Sequence, residues 1–133
     1  MECLFCDIIN NKKPALKVWE DDKFLVILDI RPINPGHLLL IPKEHIGEVF
    51  EILEPLFGEL FQTAKKIAAF LKEAVSAKRI GLAVEGFGVS HVHLHLVPVN
   101  NGNELNPERA KEVSEDELKA MQANLLNSFK NIQ

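Results

Sequence analysis

Ser90-His91-Val92-His93-Leu94-His95-Leu96-Val97-Pro98 is the stretch whose reading decides the fold. Histidine alternates with Val92, Leu94 and Leu96, and a period of two marks a β-strand with one polar and one apolar face. On such a strand the three imidazoles point to one side, about 6.6 Å from one to the next. Each ring titrates near neutral pH, is nucleophilic when neutral and binds metals. A lone histidine on an apolar strand reads as a satisfied core residue. Three on one face read as a site, because histidine is seldom wholly buried.

The rest of the chain supplies partners for this strand. Residues 80–85 form a strand before it, joined through the turn Gly86-Phe87-Gly88. Upstream, 17–20 and 24–29 are β-prone runs split by the turn signal Asp21-Asp22. An apolar strand over 37–42 follows the rigid turn Arg31-Pro32-Ile33-Asn34-Pro35-Gly36. Residues 4–11 suit a short amphipathic helix carrying Phe5, Ile8 and Ile9. Over 55–77, Phe57, Leu60, Phe61, Ala64, Ile67, Ala68, Leu71 and Val75 recur at helical spacing and predict a long core helix. Leu56 and Phe70 widen its stripe enough to cover part of a partner subunit. Residues 100–106 form a polar loop, and Ser114-x-x-Glu117 is a capping box opening a last helix through Met121, Leu125 and Phe129. The expected class is α+β: a mainly antiparallel sheet, one long central helix and a C-terminal helix. Residues 1–105 hold the sheet and the histidines, and 106–133 form a loop-and-helix extension packed on the same domain.

Composition narrows the function. At 133 residues and 47% hydrophobic, the chain buries a real core. A net charge of −4 argues against a nucleic-acid surface but not against a single nucleotide, which needs only a few donors. No run approaches the roughly 18 apolar residues of a membrane span, and the start lacks the features of a secretory signal, so a cytoplasmic protein is expected. Cys3-x-x-Cys6 reads as a metal or redox pair in a reducing compartment, at a spacing common in structural zinc sites.

The alternating run resembles the motif of the histidine triad family of nucleotide hydrolases and transferases. Leu4-Phe5-Cys6-Asp7-Ile8-Ile9, Glu20-Asp21-Asp22, Leu28-Asp29-Ile30, Pro35-Gly36-His37 and Ile41-Pro42-Lys43-Glu44-His45 resemble further family segments in family order. The resemblance covers about residues 3–100. It implies a histidine triad fold, a homodimer, a purine nucleotide substrate and no catalytic metal. It implies that His93 attacks the α-phosphorus of a nucleoside phosphoramidate or dinucleoside polyphosphate, forming a covalent nucleotidyl-histidine. His95 and His37 would contact phosphate oxygens, Asp29 the ribose hydroxyls, and Ile30, Ile27, Phe5 and Ile8 the base. In some bacterial members two cysteines and two histidines hold structural zinc, and the matching residues here are Cys3, Cys6, His45 and His91.

The chain departs from that pattern before the triad. Glu85-Gly86-Phe87-Gly88-Val89-Ser90 is several residues shorter than the usual loop and has no Gln, and Val84 stands in place of a phosphate-holding Asn. Gly86 and Gly88 allow close backbone approach, so the Val89 and Ser90 amides, or the Ser90 hydroxyl, are expected to serve phosphate. Two other readings stay open. One is a nucleotide-binding protein with little turnover. The other is a metal-dependent hydrolase with His91, His93 and His95 as ligands. Rings about 6.6 Å apart reach one metal at about 2.0–2.1 Å only if the strand bends, and that reading leaves His37 and Asp29 without a role.

Overall fold

The apolar runs pair into one five-stranded antiparallel sheet. The computed structural model describes residues 2–132; Met1 and Gln133, the outer ends of the two expected segments, lie outside the described residues. The strands are β1 (Lys17–Glu20), β2 (Phe24–Leu28), β3 (Leu38–Pro42), β4 (Arg79–Ala83) and β5 (Leu94–Val99), in the spatial order β1-β2-β3-β5-β4. The helices are α1 (Leu4–Ile9), α2 (Leu56–Ala74) and α3 (Glu115–Phe129).

Register turns the sheet into a grid. Leu28, Leu38, Leu96 and Leu82 form one cross-strand row. The next row is Ile27, Leu39, His95 and Ala83. Successive side chains alternate faces, so Val26, Leu28, Leu38, Leu40, Leu94 and Leu96 pack beneath α2 and α3 in the main core. Leu25, Ile27, Leu39 and Ile41 form a second cluster with Phe5 and Ile8 of α1. Strands β2 and β3 are thus covered on both sides, which is why their sequences run apolar without alternation.

Several boundaries differ from expectation. β5 begins at Leu94, not at the first histidine. His91 to His93 leave the ladder because the Val92 amide donates to the Ile46 carbonyl at 2.8 Å instead of to a neighbouring strand. Helix α2 stops at Ala74, since Ser76 turns left-handed (φ 53°) and the Ala77 amide bonds back to the Lys72 carbonyl at 3.0 Å. β4 ends at Ala83, so the link to β5 is a longer irregular loop than the expected glycine turn.

The segment after β5 wraps the sheet. At Gly81 a methyl group would fall 2.8 Å from Leu105 Cδ2, so Leu105 lies flat on β4, on the histidine face. The chain then crosses to the 31–36 turn, where Lys111 N donates to the Pro32 carbonyl at 3.4 Å and Arg31 to the Ala110 carbonyl at 3.4 Å. Ser114 Oγ accepts the Glu117 amide at 3.1 Å and starts α3, whose Leu125 and Phe129 are fully buried in the main core. Among the described residues no helix is long and apolar enough to cross a membrane. Truncating Phe129 to Ala removes an aromatic ring from the centre of this core. We expect a loss of about 3–5 kcal/mol in denaturant unfolding; a loss below about 1 kcal/mol would mean that α3 contributes little to the domain.

Candidate functional site

His37, His91, His93 and His95 each have a protonation pattern set by one backbone or ring contact, assigned from the hydrogen-bond network. The His91 ring is fully buried, and Nε2 lies 2.8 Å from the Pro42 carbonyl. A carbonyl only accepts, so Nε2 carries the proton and Nδ1 carries a lone pair. That lone pair faces Cys3 Sγ at 3.4 Å, Cys6 Sγ at 3.6 Å and His45 Nδ1 at 3.1 Å. Cys6 Sγ and His45 Nδ1 are 3.3 Å apart.

These four ligand atoms all lie within 4.8 Å of one another. A tetrahedral zinc with nitrogen at about 2.0–2.1 Å and sulfur at about 2.3 Å needs ligand–ligand edges of about 3.3–3.8 Å. The donor set and its spacings fit that ion. Desolvation, then the neighbouring Cys3, pushes the Cys6 thiol up from its ordinary value. Two thiolates this close need a cation between them.

His93 is oriented by the next peptide back. Its Nδ1 donates to the His91 carbonyl at 2.8 Å, leaving the Nε2 lone pair free. Phe5 stands edge-on to this ring at 4.9 Å between centroids and to His91 at 5.9 Å, so α1 braces both.

His37 and His95 form a relay of donors. The Ile33 amide donates to His37 Nδ1 at 3.0 Å, so His37 Nε2 carries hydrogen. That Nε2 lies 2.9 Å from His95 Nδ1 and 3.5 Å from Asp29 Oδ2. His95 Nδ1 therefore accepts, and its own proton sits on Nε2. Burial holds His37 down to about 4; the Asp29 carboxylate pulls it back and His95 pushes it further down. His95 is also lowered, first by burial and then by His93, against the raising effect of Asp29 and Glu85. Both rings are neutral near pH 7 in the free protein. Asp29 Oδ1 accepts the Arg31 amide at 2.9 Å, which fixes its carboxylate at the end of β2.

Asp29, His37, His93 and His95 share one cleft of 390 Å³, with Arg31, Ala83, Glu85, Gly86, Phe87 and Gly88 also on its walls. Leu105, Pro107 and Ala110 of the tail also line it. Other expected site residues lie elsewhere. Phe5, Ile8 and Ile27 are buried in the second cluster, and Val89 packs against that cluster. Ile30 is 65% exposed next to Asp29. Ser90 is exposed, with its hydroxyl beside Gly47. His91, His93 and His95 do not converge: among the described residues, possible ligand groups are Cys3-Cys6-His45-His91 and Asp29-His37-His95. The sequence reading missed the wall formed by Glu85, Phe87 and the tail. The signals available for it were Leu105, an apolar residue in an otherwise polar loop, and Gly81, a glycine within a strand.

The family described as HIT domain matches residues 10–102. A HIT-like protein of Borreliella burgdorferi is 35% identical over 130 residues, spanning 85% of this chain and 94% of the relative. The adenosine 5′-monophosphoramidase hnt1 of Schizosaccharomyces pombe is 32% identical over 102 residues, spanning 76% and 77% of the two chains. Among solved structures, a Zn-bound histidine triad family protein from Mycobacterium smegmatis superposes with a TM-score of 0.78 at 31% identity, covering 96% of this chain and 95% of that one.

The His37 geometry has a measurable consequence. Unfolded, this ring takes up a proton near pH 6.5; folded, only near pH 4. Stability is therefore present above 6.5 and lost as pH falls towards 4, on the order of 3 kcal/mol in all. The stability difference between the parent and His37→Gln should shrink through that window in urea titrations. A difference that stays flat from pH 7 to 4 would show that His37 is not held neutral.

Proposed function

The chain belongs to the HIT domain family, the histidine triad family, and from that premise we propose that it is a nucleotide hydrolase or nucleotidyl transferase acting through a covalent nucleotidyl-histidine. The observation that carries this reading is the His93 Nδ1–H bond to the His91 carbonyl, which leaves the Nε2 lone pair available beside the cleft. The candidate substrates are nucleoside phosphoramidates and dinucleoside polyphosphates. The S. pombe relative named as an adenosine 5′-monophosphoramidase supports the first class.

The reaction runs in two halves. In the first, the Nε2 lone pair of His93 forms a bond to the α-phosphorus, and the bond to the leaving group breaks with its electrons on the departing atom. His95 supplies that atom with the Nε2 proton. It does so from its imidazolium form, which the negative charge of an arriving phosphate favours. In the second half water attacks phosphorus, its proton passes to His95, and the bond to His93 breaks. Donors held on the phosphate oxygens strengthen as charge develops. His37 aligns the neutral His95 ring in the free protein through the Nε2–H bond to Nδ1; protonation of His95 breaks that contact, and His37 Nε2 is then a second donor to phosphate.

Asp29 accepts from the ribose hydroxyls, a task suited to an acceptor-only carboxylate. Ile30 offers exposed apolar surface for a purine, backed by Ile27, Phe5 and Ile8. The Val89 and Ser90 amides, in the loop preceding His91, are the proposed backbone donors to phosphate. The Ser90 hydroxyl has no part in this reading. A homodimer belongs to the same proposal, supported by the open edge of β4, where Leu82 is 43% exposed, and by half-buried Phe57, Phe61 and Phe70 on α2.

Cys3, Cys6, His45 and His91 would hold zinc, which would supply no chemistry to the reaction and would clip α1 to the 42–47 segment. The zinc-bound M. smegmatis structure supports this assignment.

Replacing His93 with Ala should lower turnover of adenosine 5′-phosphoramidate on the order of 10⁴-fold or more. Parent protein quenched in denaturant at alkaline pH should carry a nucleotide on His93 that acid releases. Parental turnover in the variant overturns the mechanism, and tight binding by the parent without product would make the protein a nucleotide binder. A separate measurement addresses the metal. Freshly purified protein should hold stoichiometric zinc that His45→Ala loses, and a chelator should lower the parent's melting temperature. Zinc-free protein indifferent to chelator removes the metal site.

A further inference from the structure

We infer that the far end of the cleft selects an amine leaving group, above all one carrying a positive charge beside apolar surface, over a polyphosphate. This rests on the proposed function and decides between its two substrate classes. Asp29, the proposed ribose acceptor, closes β2 at one side of the sheet, and Ala83 and Glu85 stand at the end of β4. Three strand spacings, about 14 Å, separate them. His93 and His95 belong to the strand and lead-in between. A nucleotide with its ribose at Asp29 and its phosphorus at His93 therefore sends its leaving group past Ala83, Glu85 and Phe87.

The groups waiting there have a definite character. Glu85 presents an exposed carboxylate. Phe87 is 91% exposed, between Gly86 (φ 90°) and Gly88, which has open space around it. A large aromatic left in water between two glycines is free to lie over whatever enters. Leu105, Pro107 and Ala110 also line the cleft. Among the described residues the one Lys or Arg on the cleft walls is Arg31, at the Asp29 end, where Ala110 and Glu112 already engage it. The nearby tail cation, Arg109, is held by Glu104 and Asn34.

A polyphosphate leaving group would bring several negative charges against the Glu85 carboxylate with no cation to offset them. An amine brings none. A cationic amine gains from Glu85 and from the Phe87 ring face. The step balances as follows. His93 Nε2 bonds to phosphorus, the P–N bond breaks with its electron pair on nitrogen, and the nitrogen takes the His95 proton and departs as the free amine.

The test compares three adenosine 5′-phosphoryl compounds. The first is joined by a P–N bond to one end of 1,5-diaminopentane, the second to pentylamine, and the third is diadenosine triphosphate. The parent should rank them in that order by kcat/KM, with the first at least about tenfold above the third. Glu85→Lys should lower the first-to-second ratio about fivefold, the scale of one exposed charge pair, and lower the first-to-third ratio further. Phe87→Ala should raise KM for both amides about threefold, the scale of an exposed aromatic contact, with kcat little altered. Ratios within one variant are insensitive to a general loss of folded protein. A parent that prefers diadenosine triphosphate, or a Glu85→Lys variant with parental ratios, overturns the inference. If no compound is turned over, the underlying catalytic reading fails. The preference is then read from equilibrium binding to His93→Ala, where the same order supports the inference and the reverse order overturns it.

Discussion

The backbone carbonyl of His91 accepts the Nδ1 proton of His93, and the chemistry available to this protein depends on that bond. A neutral imidazole has one lone pair and one proton, and which nitrogen carries which is decided by the partner of the other. The partner here is a main-chain group two residues away, so the ring cannot reorient unless the backbone does. That backbone is pinned in turn. Val92 donates to Ile46, and the His91 ring donates to Pro42. His91 thus serves twice, its carbonyl holding the ring of His93 and its ring completing the cluster with Cys3, Cys6 and His45. The departure of His91 to His93 from the ladder makes this possible, because a carbonyl spent on a neighbouring strand would be less available to an imidazole.

Much of this arrangement was legible in the chain. The alternation of histidine with Val92, Leu94 and Leu96 gives the correct face for every ring, because facing depends only on odd and even positions. The same reasoning misjudges where the strand begins, since periodicity does not reveal which amide finds a partner in Ile46. Asp29 and His37 were recognisable by resemblance. The meeting of His37 Nε2 with both Asp29 and His95 was not, because it joins three strands whose register no local pattern states. Phe5, Ile8 and Ile27 illustrate a different ambiguity. An apolar residue beside a site and one in the core look alike in sequence, and burial places these three in the core of the histidine face.

The tail was the least legible part. Its capping box and helical period predict α3 well, since both signals are local. Its path across the histidine face depends on Gly81, a position whose missing side chain makes room for Leu105. A glycine in a strand signals close approach by something, but sequence alone does not say by what.

That path changes what the cleft can accept. In a site open on its far side, water would surround a departing group, and the charge of Glu85 would be weakened by bulk dielectric and salt. Leu105, Pro107 and Ala110 add apolar surface of the tail to the cleft that Glu85 and Phe87 also line. Glu85 is itself exposed, so its preference is on the scale of one exposed charge pair, and it filters charge because no Lys or Arg among the described residues at that part of the cleft offsets it. Glu85 and Phe87 stand two residues apart on the loop that lines the cleft, so the charge and the ring meet the same departing group.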